Sequence, residues 1–387
     1  MFNLNEKEPL NVLVWGWIFY YKRDFNNNNL VMRAYKYRIK PTEEQKVLIE
    51  KHLWCCRFVW NTFLGERIKA YEEEWKTLTY YDNAASLTQL KKELTWLKEV
   101  NSQSLQSTLK DLNLAYERFF KKISNFPKFK SKKNPKKWFH IPQEVKLKGS
   151  KLVIPKFQEW IKVILHRPLT WKIRNATITK ENSWYYVSLV VCDYEVNKFP
   201  ETSKNIWIDL WVSHFCITSE WDKIENPKFL RVVEEKLKKI QSYYSRHKWK
   251  RTLRKLQRLH TKVANQRKDF LHKLSTKLIH ENQVICLEDL NVKWMMKNHK
   301  LAKAIWEVWW WMFKSFLQYK AEWYWRNLVI IDRYFPSSKT CNYCGNIKET
   351  LSLDERAWKC SSCWVEIDRD INAAKNILKE GLKQLEQ

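Results

Sequence analysis

Five glycines have to serve 387 residues. Glycine is the residue that takes a chain through positive φ without a steric penalty, so this scarcity leaves most turns and helix ends to residues that carry a Cβ. At an average usage of about 7% a chain of this length holds roughly 27 glycines. Here 23 tryptophans accompany the five glycines, and the two together number 28. The sum is ordinary and the split is not, so many tryptophans stand where glycine is expected. Glycine and tryptophan codons differ by one base, and UGA, a stop in the standard code, is read as tryptophan in some genetic codes and as glycine in others. A gene whose UGA glycine codons are read as tryptophan yields this composition; a truly tryptophan-rich chain is the alternative.

The length allows two or three domains and a sizeable core. A formal net charge of +29 and a pI near 9.6 exceed what solubility needs and attract polyanions, nucleic acid first. No segment approaches the roughly 18 uncharged apolar residues of a membrane span. The most apolar N-terminal run, LNVLVWGWIFYY at 10–21, follows Glu6 and Glu8 and makes no convincing signal peptide. Of nine cysteines, four form two C-x-x-C pairs and five are scattered in apolar contexts, unlike a secreted disulfide framework. A cytoplasmic protein is expected.

Residues 1–31 end in NNNN and read as an N-terminal extension, with Met32 opening an alternating strand and then a helix capped by Thr42. The pattern is helical from 43 to 122, with polar breaks near 79–88 and 101–104. Residues 126–200 hold short β-rich runs such as KLVIP, ATITK and WYYVSLVV, which predict a small, largely antiparallel β-domain. After about 203 the chain alternates: a strand at 205–218, a long basic helical region at 231–280, a strand at 284–288, a cysteine cluster and a helix at 370–386. That alternation predicts an α/β domain.

Cys341-x2-Cys344, fifteen residues, then Cys360-x2-Cys363 is the sharpest motif. Four thiolates in two knuckles supply a closed tetrahedral site for structural Zn²⁺. Each knuckle needs a tight turn after its second cysteine; the first has Gly345 there and the second has Trp364. Three acids lie where strands end or a helix begins: Asp209 in IWIDLW, Glu288 closing VICLE, and Asp370 opening DINAAKNILKEGL. Singly, each has a plain reading as a turn, cap or surface acid. Converging, three carboxylates bind Mg²⁺ far better than they tolerate one another bare, and two such ions can activate water and stabilise the leaving oxygen of a phosphodiester.

With IDLWVSHF and ICLEDLN upstream, the segment FPSSKTCNYCGNIKETLSLDERAWKCSSCWVEIDRDINAAKNIL resembles the TnpB/OrfB family encoded by insertion sequences, relatives of the type V CRISPR effectors. The resemblance runs from Met32 to about residue 379. It implies a multidomain α/β protein: an RNase H-like RuvC nuclease domain over 203–387 with an inserted zinc ribbon at 338–366, a β-barrel-like wedge domain from 32–47 and 126–200, and a helical recognition segment at 48–125. It further implies an RNA-guided DNA endonuclease that uses a transposon-derived guide RNA on a double-stranded DNA target. Carried over position by position, the catalytic, magnesium-binding triad falls on Asp209, Glu288 and Asp370, and the zinc ligands on Cys341, Cys344, Cys360 and Cys363. Asp368 competes for the third acid; the family's acid immediately precedes x-N-A-A, which selects Asp370. Where the family pattern has glycine, this chain has tryptophan at 54, 207, 211, 309, 311, 325 and 364.

Two basic stretches are candidates for phosphate contact. Residues 121–137 carry eight lysines and no acid, interleaved with Phe126 and Phe129; residues 236–268 carry thirteen lysines or arginines and no acid on a helical pattern. A charge run alone is a solvated face, but beside a nuclease triad it points to nucleic acid. The residues singled out are Lys121, Lys122, Lys128, Lys130, Lys132, Lys133, Arg246, Lys250, Arg251, Arg254, Lys255 and Arg258. The histidines show no metal-ligand spacing. The rival functions are a nuclease-dead RNA-guided repressor, a DNA-joining transposase on the same fold, and a plain zinc-ribbon DNA-binding module, which leaves the triad unexplained.

Overall fold

The computed structural model describes residues 13–14, 17–18, 31–169, 172–193, 199–210, 214–220, 222–289, 309–352, 355 and 357–386; at 13–14, 17–18, 31, 192–193, 209, 214, 370 and 386 the description covers the backbone alone. Two compact units emerge, built on Phe19–Glu195 and Val196–Gln387; the short antiparallel pair β1 (Leu13–Val14) and β2 (Trp17–Ile18) groups with the second.

In the first unit, β3 (Val31–Lys40) buries Tyr35, Tyr37 and Ile39 and turns the cations between them outward, the period-two pattern of a half-buried strand. A capping box then starts α1 (Glu43–Glu74). Gln45 N–H donates to Thr42 Oγ1 at 3.3 Å, and Thr42 N–H donates to Gln45 Oε1 at 3.1 Å. The polar stretch read as a break at 79–88 is instead the start of α2 (Tyr80–Glu93), opened by a second capping box between Thr79 and Asp82. Capping and loop chemistry use the same residue types, which is why composition misread it. A 3₁₀ turn at Thr95–Lys98 leads to α3 (Ser102–Phe120), capped by Asn101.

Six further strands follow: β4 (Lys136–Ile141), β5 (Lys146–Lys148), β6 (Lys151–Val153), β7 (Ile161–Ile164), β8 (Ile173–Glu181) and β9 (Trp184–Asp193). With β3 they make a seven-stranded antiparallel sheet in the order β4-β8-β9-β3-β7-β6-β5. One core joins sheet and helices, with Tyr37, Phe63, Leu105, Phe139 and Val187 fully enclosed. His52 lies inside it. Its ring is 2.8 Å from Leu48 O through Nδ1 and accepts Asn101 N–H through Nε2, and burial pulls its pKa down to about 4. It is therefore a neutral structural group.

In the second unit the stretch 205–218 is two strands, β10 (Asn205–Leu210) and β11 (His214–Thr218), paired antiparallel with Asp209 opposite Ile217. The single strand expected there is thus an antiparallel pair: a largely apolar run does not reveal where a chain reverses. β12 (Lys223–Glu225), β13 (Val284–Glu288) and β14 (Asn327–Ile331) complete a five-stranded sheet ordered β12-β11-β10-β13-β14, in which β10, β13 and β14 are parallel. The long basic region divides into α4 (Phe229–His247) and α5 (Lys250–Glu281); α6 (Trp310–Tyr324) precedes β14. The antiparallel pair β15 (Ala357–Lys359) and β16 (Glu366–Asp368) leads into α7 (Arg369–Glu386).

The parallel strands are covered on both faces, as such strands require. Ile206, Ile208, Ile285 and Leu287 pack against α5 and α6, while Trp207, Cys286, Val329 and Ile331 pack against Ala374 and Ile377 of α7. Gly381 permits the second contact, because a Cβ there would collide with Cys286 Sγ. Among the described residues no helix is long and apolar enough to cross a membrane.

Candidate functional site

The sheet register sets the position of the acids. Ile208 of β10 pairs with Leu287 of β13, so position 209 follows at the level of 288, and Glu288 pairs with Ile331 of β14. Positions 207 and 286 belong to the face covered by α7. Side chains alternate along a strand, so positions 209 and 288 share the parity of that face. Asp370 is the second residue of α7, one turn before Ala374, which packs on the same face. The backbone sets positions 209 and 288 level with each other at adjacent strand ends; position 370 opens α7, whose Asn376 reaches the loop that carries Ser337, the partner of Glu288. The side chains of Asp209 and Asp370 lie outside the described residues, as does all of Trp211.

Glu288 is half-buried, and its carboxyl pKa is raised, chiefly by desolvation, against a hydrogen bond donated by Ser337 Oγ to Oε1 at 3.1 Å. A desolvated carboxylate of this kind is stabilised by a cation. Its neighbour Asp289 is already committed. Lys314 Nζ sits 2.8 Å from Oδ1 and Arg333 holds the other oxygen, and these partners keep its pKa below the usual range. Asp368 is committed too, since its Oδ1 accepts Ile371 N–H at 2.9 Å and so caps α7. Structural duties thus occupy Asp289 beside Glu288 and Asp368 two residues before Asp370.

Sequence reading missed the clamp that holds Ser337 in place. Asn376 Nδ2 donates to the carbonyls of Ser337 at 2.8 Å and Thr340 at 2.6 Å; Asn372 Nδ2 donates to Thr340 O at 2.5 Å while its Oδ1 accepts Asn342 N–H at 2.8 Å. Both asparagines are buried. Two carboxamides four residues apart on one helix, in DINAAKN, were the available signal. They tie α7 to the loop that carries both Ser337 and the first cysteine knuckle.

The four cysteines converge. Their Sγ atoms all lie within 4.8 Å of one another, with Cys341–Cys363 and Cys344–Cys360 both at 3.6 Å. Thiolates about 2.3 Å from a zinc ion sit roughly 3.8 Å apart at the corners of a tetrahedron, so the cluster fits that metal. Cys363 and Ser362 N–H groups aimed at Cys360 hold its thiol down, while at Cys363 the Val365 N–H is outweighed by burial and the neighbouring sulfurs, which push the thiol up. The two knuckles repeat one backbone pattern. Gly345 N–H returns to Cys341 O at 2.8 Å and Trp364 N–H to Cys360 O at 3.0 Å; Cys341 N–H bonds Asn346 O and Cys360 N–H bonds Val365 O.

Of the cations singled out, Lys121, Lys122, Lys128, Lys132 and Lys133 are exposed in the first unit, and Arg246, Lys250, Arg251, Arg254, Lys255 and Arg258 in the second. Arg251, Arg254, Lys255 and Arg258 form an i, i+3, i+4, i+7 stripe on α5, opposite its buried Val263, Arg267 and Leu271. Lys130 differs. Its Nζ lies 3.8 Å over the Trp60 ring, its backbone N–H is held by Asn61 Oδ1 at 2.8 Å, and Asp111 supplies the opposing charge. That environment gives Lys130 a packing role rather than an open phosphate contact.

Residues 189–299 match a family described as "Probable transposase" (OrfB, IS605 type), 31–76 the helix-turn-helix domain of the same type, over what is here β3 and α1, and 310–377 the Cas12f1-like TNB domain. A protein of Streptomyces pristinaespiralis named "Putative RNA-guided DNA endonuclease" is 38% identical over 364 residues, covering 91% of this chain and 90% of its own. InsQ of Escherichia coli (strain K12), given the same descriptive name, is 29% identical over 374 residues, covering 90% and 92%. A cryo-EM structure of the Cas12f1-sgRNA-target DNA complex superposes with a TM-score of 0.54 at 13% identity, over 90% of this chain and 99% of that one; the likeness is one of fold.

Proposed function

This chain belongs to the TnpB/OrfB family of insertion-sequence-encoded proteins, and on that footing we propose that it is an RNA-guided DNA endonuclease in which Asp209, Glu288 and Asp370 hold Mg²⁺. The reading is supported by positions 209 and 288 standing level at adjacent strand ends beside the helix that position 370 opens, with the nearby acids Asp289 and Asp368 engaged elsewhere. An all-carboxylate donor set suits Mg²⁺. Bound there, the ion would lower the pKa of a water and offset charge developing on the scissile phosphate. Ser337 orients Glu288, and Asn372 and Asn376 hold the loop that presents Ser337.

The finer architecture follows from the same reading. Residues 203–387 are an RNase H-like RuvC domain, with the zinc ribbon at 338–366 entered between β14 and α7. Residues 32–47 and 126–200 form the wedge domain and 48–125 the recognition segment. The guide RNA and the DNA target lie along the basic surfaces, sequence choice is delegated to base pairing, and the protein acts on the nucleoid in the cytoplasm. Presence of all three acids disfavours a nuclease-dead repressor. A DNA-joining transposase is separated by assaying strand joining against cleavage.

Protein purified with its co-purifying RNA is expected to cut DNA complementary to that RNA, to stop in EDTA and to recover with Mg²⁺. Cutting that persists in EDTA, or that ignores the RNA sequence, would overturn the reading. A single structural zinc is expected per chain by metal analysis of reduced protein. Cys360→Ser should lose that zinc and accelerate hydrogen exchange over 341–364 while the five-stranded sheet stays protected.

A further inference from the structure

We propose that the tryptophans at 75, 309, 325 and 364 are glycines in the protein made by the native host, where UGA codons at those positions are decoded as glycine. The observation is conformational and independent of composition. Among the described residues ten that are not glycine have positive φ, and four of them are tryptophan: Trp75 at 51°, Trp309 at 54°, Trp325 at 60° and Trp364 at 63°. The other six are five charged residues and Asn182. Left-handed backbone is a genuine outlier for a bulky side chain, whereas glycine enters it freely. Tryptophan makes up 23 of 387 residues, so chance does not concentrate it there.

Three of the positions are ones that glycine ordinarily fills, and the fourth is a helix start at positive φ. Trp325 closes α6 with Arg326 N–H reaching Ala321 O at 2.9 Å, the helix end in which a left-handed residue, usually glycine, precedes the donor. Trp75 closes α1 in the same left-handed conformation, its N–H and that of Lys76 returning to Tyr71 O and Ala70 O. Trp309 opens α6 at positive φ. Trp364 occupies the knuckle position that Gly345 occupies at φ 79° in the other half of the zinc site. At the clearest sites little burial accompanies the strain: Trp75, beside the Tyr71 ring, is 79% exposed and Trp364, under Lys359, 69%.

Other tryptophans are built into their surroundings. Trp60 is buried within α1 and its Nε1 donates to Lys128 O at 3.0 Å; Trp358 is buried in the strand core of the zinc ribbon. Backbone conformation therefore sorts the tryptophans, and it selects position 75, which the family pattern did not single out. The rival explanation keeps the exposed indoles as stacking platforms for nucleotide bases.

Reading the gene separates the two. UGA is expected at 75, 309, 325 and 364 and UGG at 60 and 358, and host peptides spanning 364 should carry the mass of glycine. UGG at the four positions, UGA at 60 and 358 as well, or host peptides carrying tryptophan would each overturn the proposal. Trp364→Gly should also slow zinc release to a chelator on the order of tenfold, from relief of the left-handed strain; an unchanged or faster release would contradict that strain.

Discussion

Asp209→Ala, Glu288→Ala and Asp370→Ala are each expected to abolish DNA cleavage while binding of guide RNA and target survives. Metal activation of water and charge compensation at a phosphate contribute several kcal/mol. At about 1.36 kcal/mol per factor of ten, losing them slows cutting at least about a thousandfold. The basic stripe on α5 does not involve these residues, so affinity should hold. Controls come from the neighbouring acids. Asp368→Ala removes the cap on Ile371 N–H and should cost about 0.5–2 kcal/mol of stability, seen as a lower Tm, with cleavage largely retained. Full cleavage by Asp370→Ala with Asp368 intact would reassign the third acid. Asp289→Ala breaks contacts to Lys314 and Arg333 and should act mainly on stability.

Guide RNA binding is expected to weaken steeply with salt. Each phosphate neutralised on a single strand adds about 0.7 to the slope of log K against log salt. If six to ten cations contact the backbone, affinity falls on the order of three hundredfold to ten-thousandfold between 50 and 200 mM salt. Neutralising Arg251, Arg254, Lys255 and Arg258 together should lower the slope by about three units, whichever guide is bound. A flat slope in the unmodified protein would remove the basic-groove reading. Lys130→Ala should behave otherwise. It strips the cation from the Trp60 ring and leaves Asp111 facing Arg118 alone, so the loss should appear in Tm and not in the slope.

Cys341, Cys344, Cys360 and Cys363 were legible because a knuckle is local: two residues between ligands fix the turn, and the chain needs no distant partner to form it. The capping box at Thr42 and the alternation of β3 were legible for the same reason. The charge of residues 236–268 was equally plain, since amphipathic periodicity is written into neighbouring residues.

Tertiary structure decided whatever depended on residues far apart in the chain. That 205–218 is an antiparallel pair follows from pairing between β10 and β11, and an apolar run looks the same whether it continues or turns back. That Glu288 and not Asp289 is left for other chemistry rests on Lys314 and Arg333, brought in by α6 and the segment after β14. The clamp of Asn372 and Asn376 on the loop at 337–340 joins positions more than thirty residues apart. Lys130 and Lys128 are indistinguishable as letters, yet one lies over the Trp60 ring and the other in solvent. Sequence spacing determines the contacts of near neighbours; only the folded chain determines which distant groups satisfy a charge, and therefore which charges remain for function.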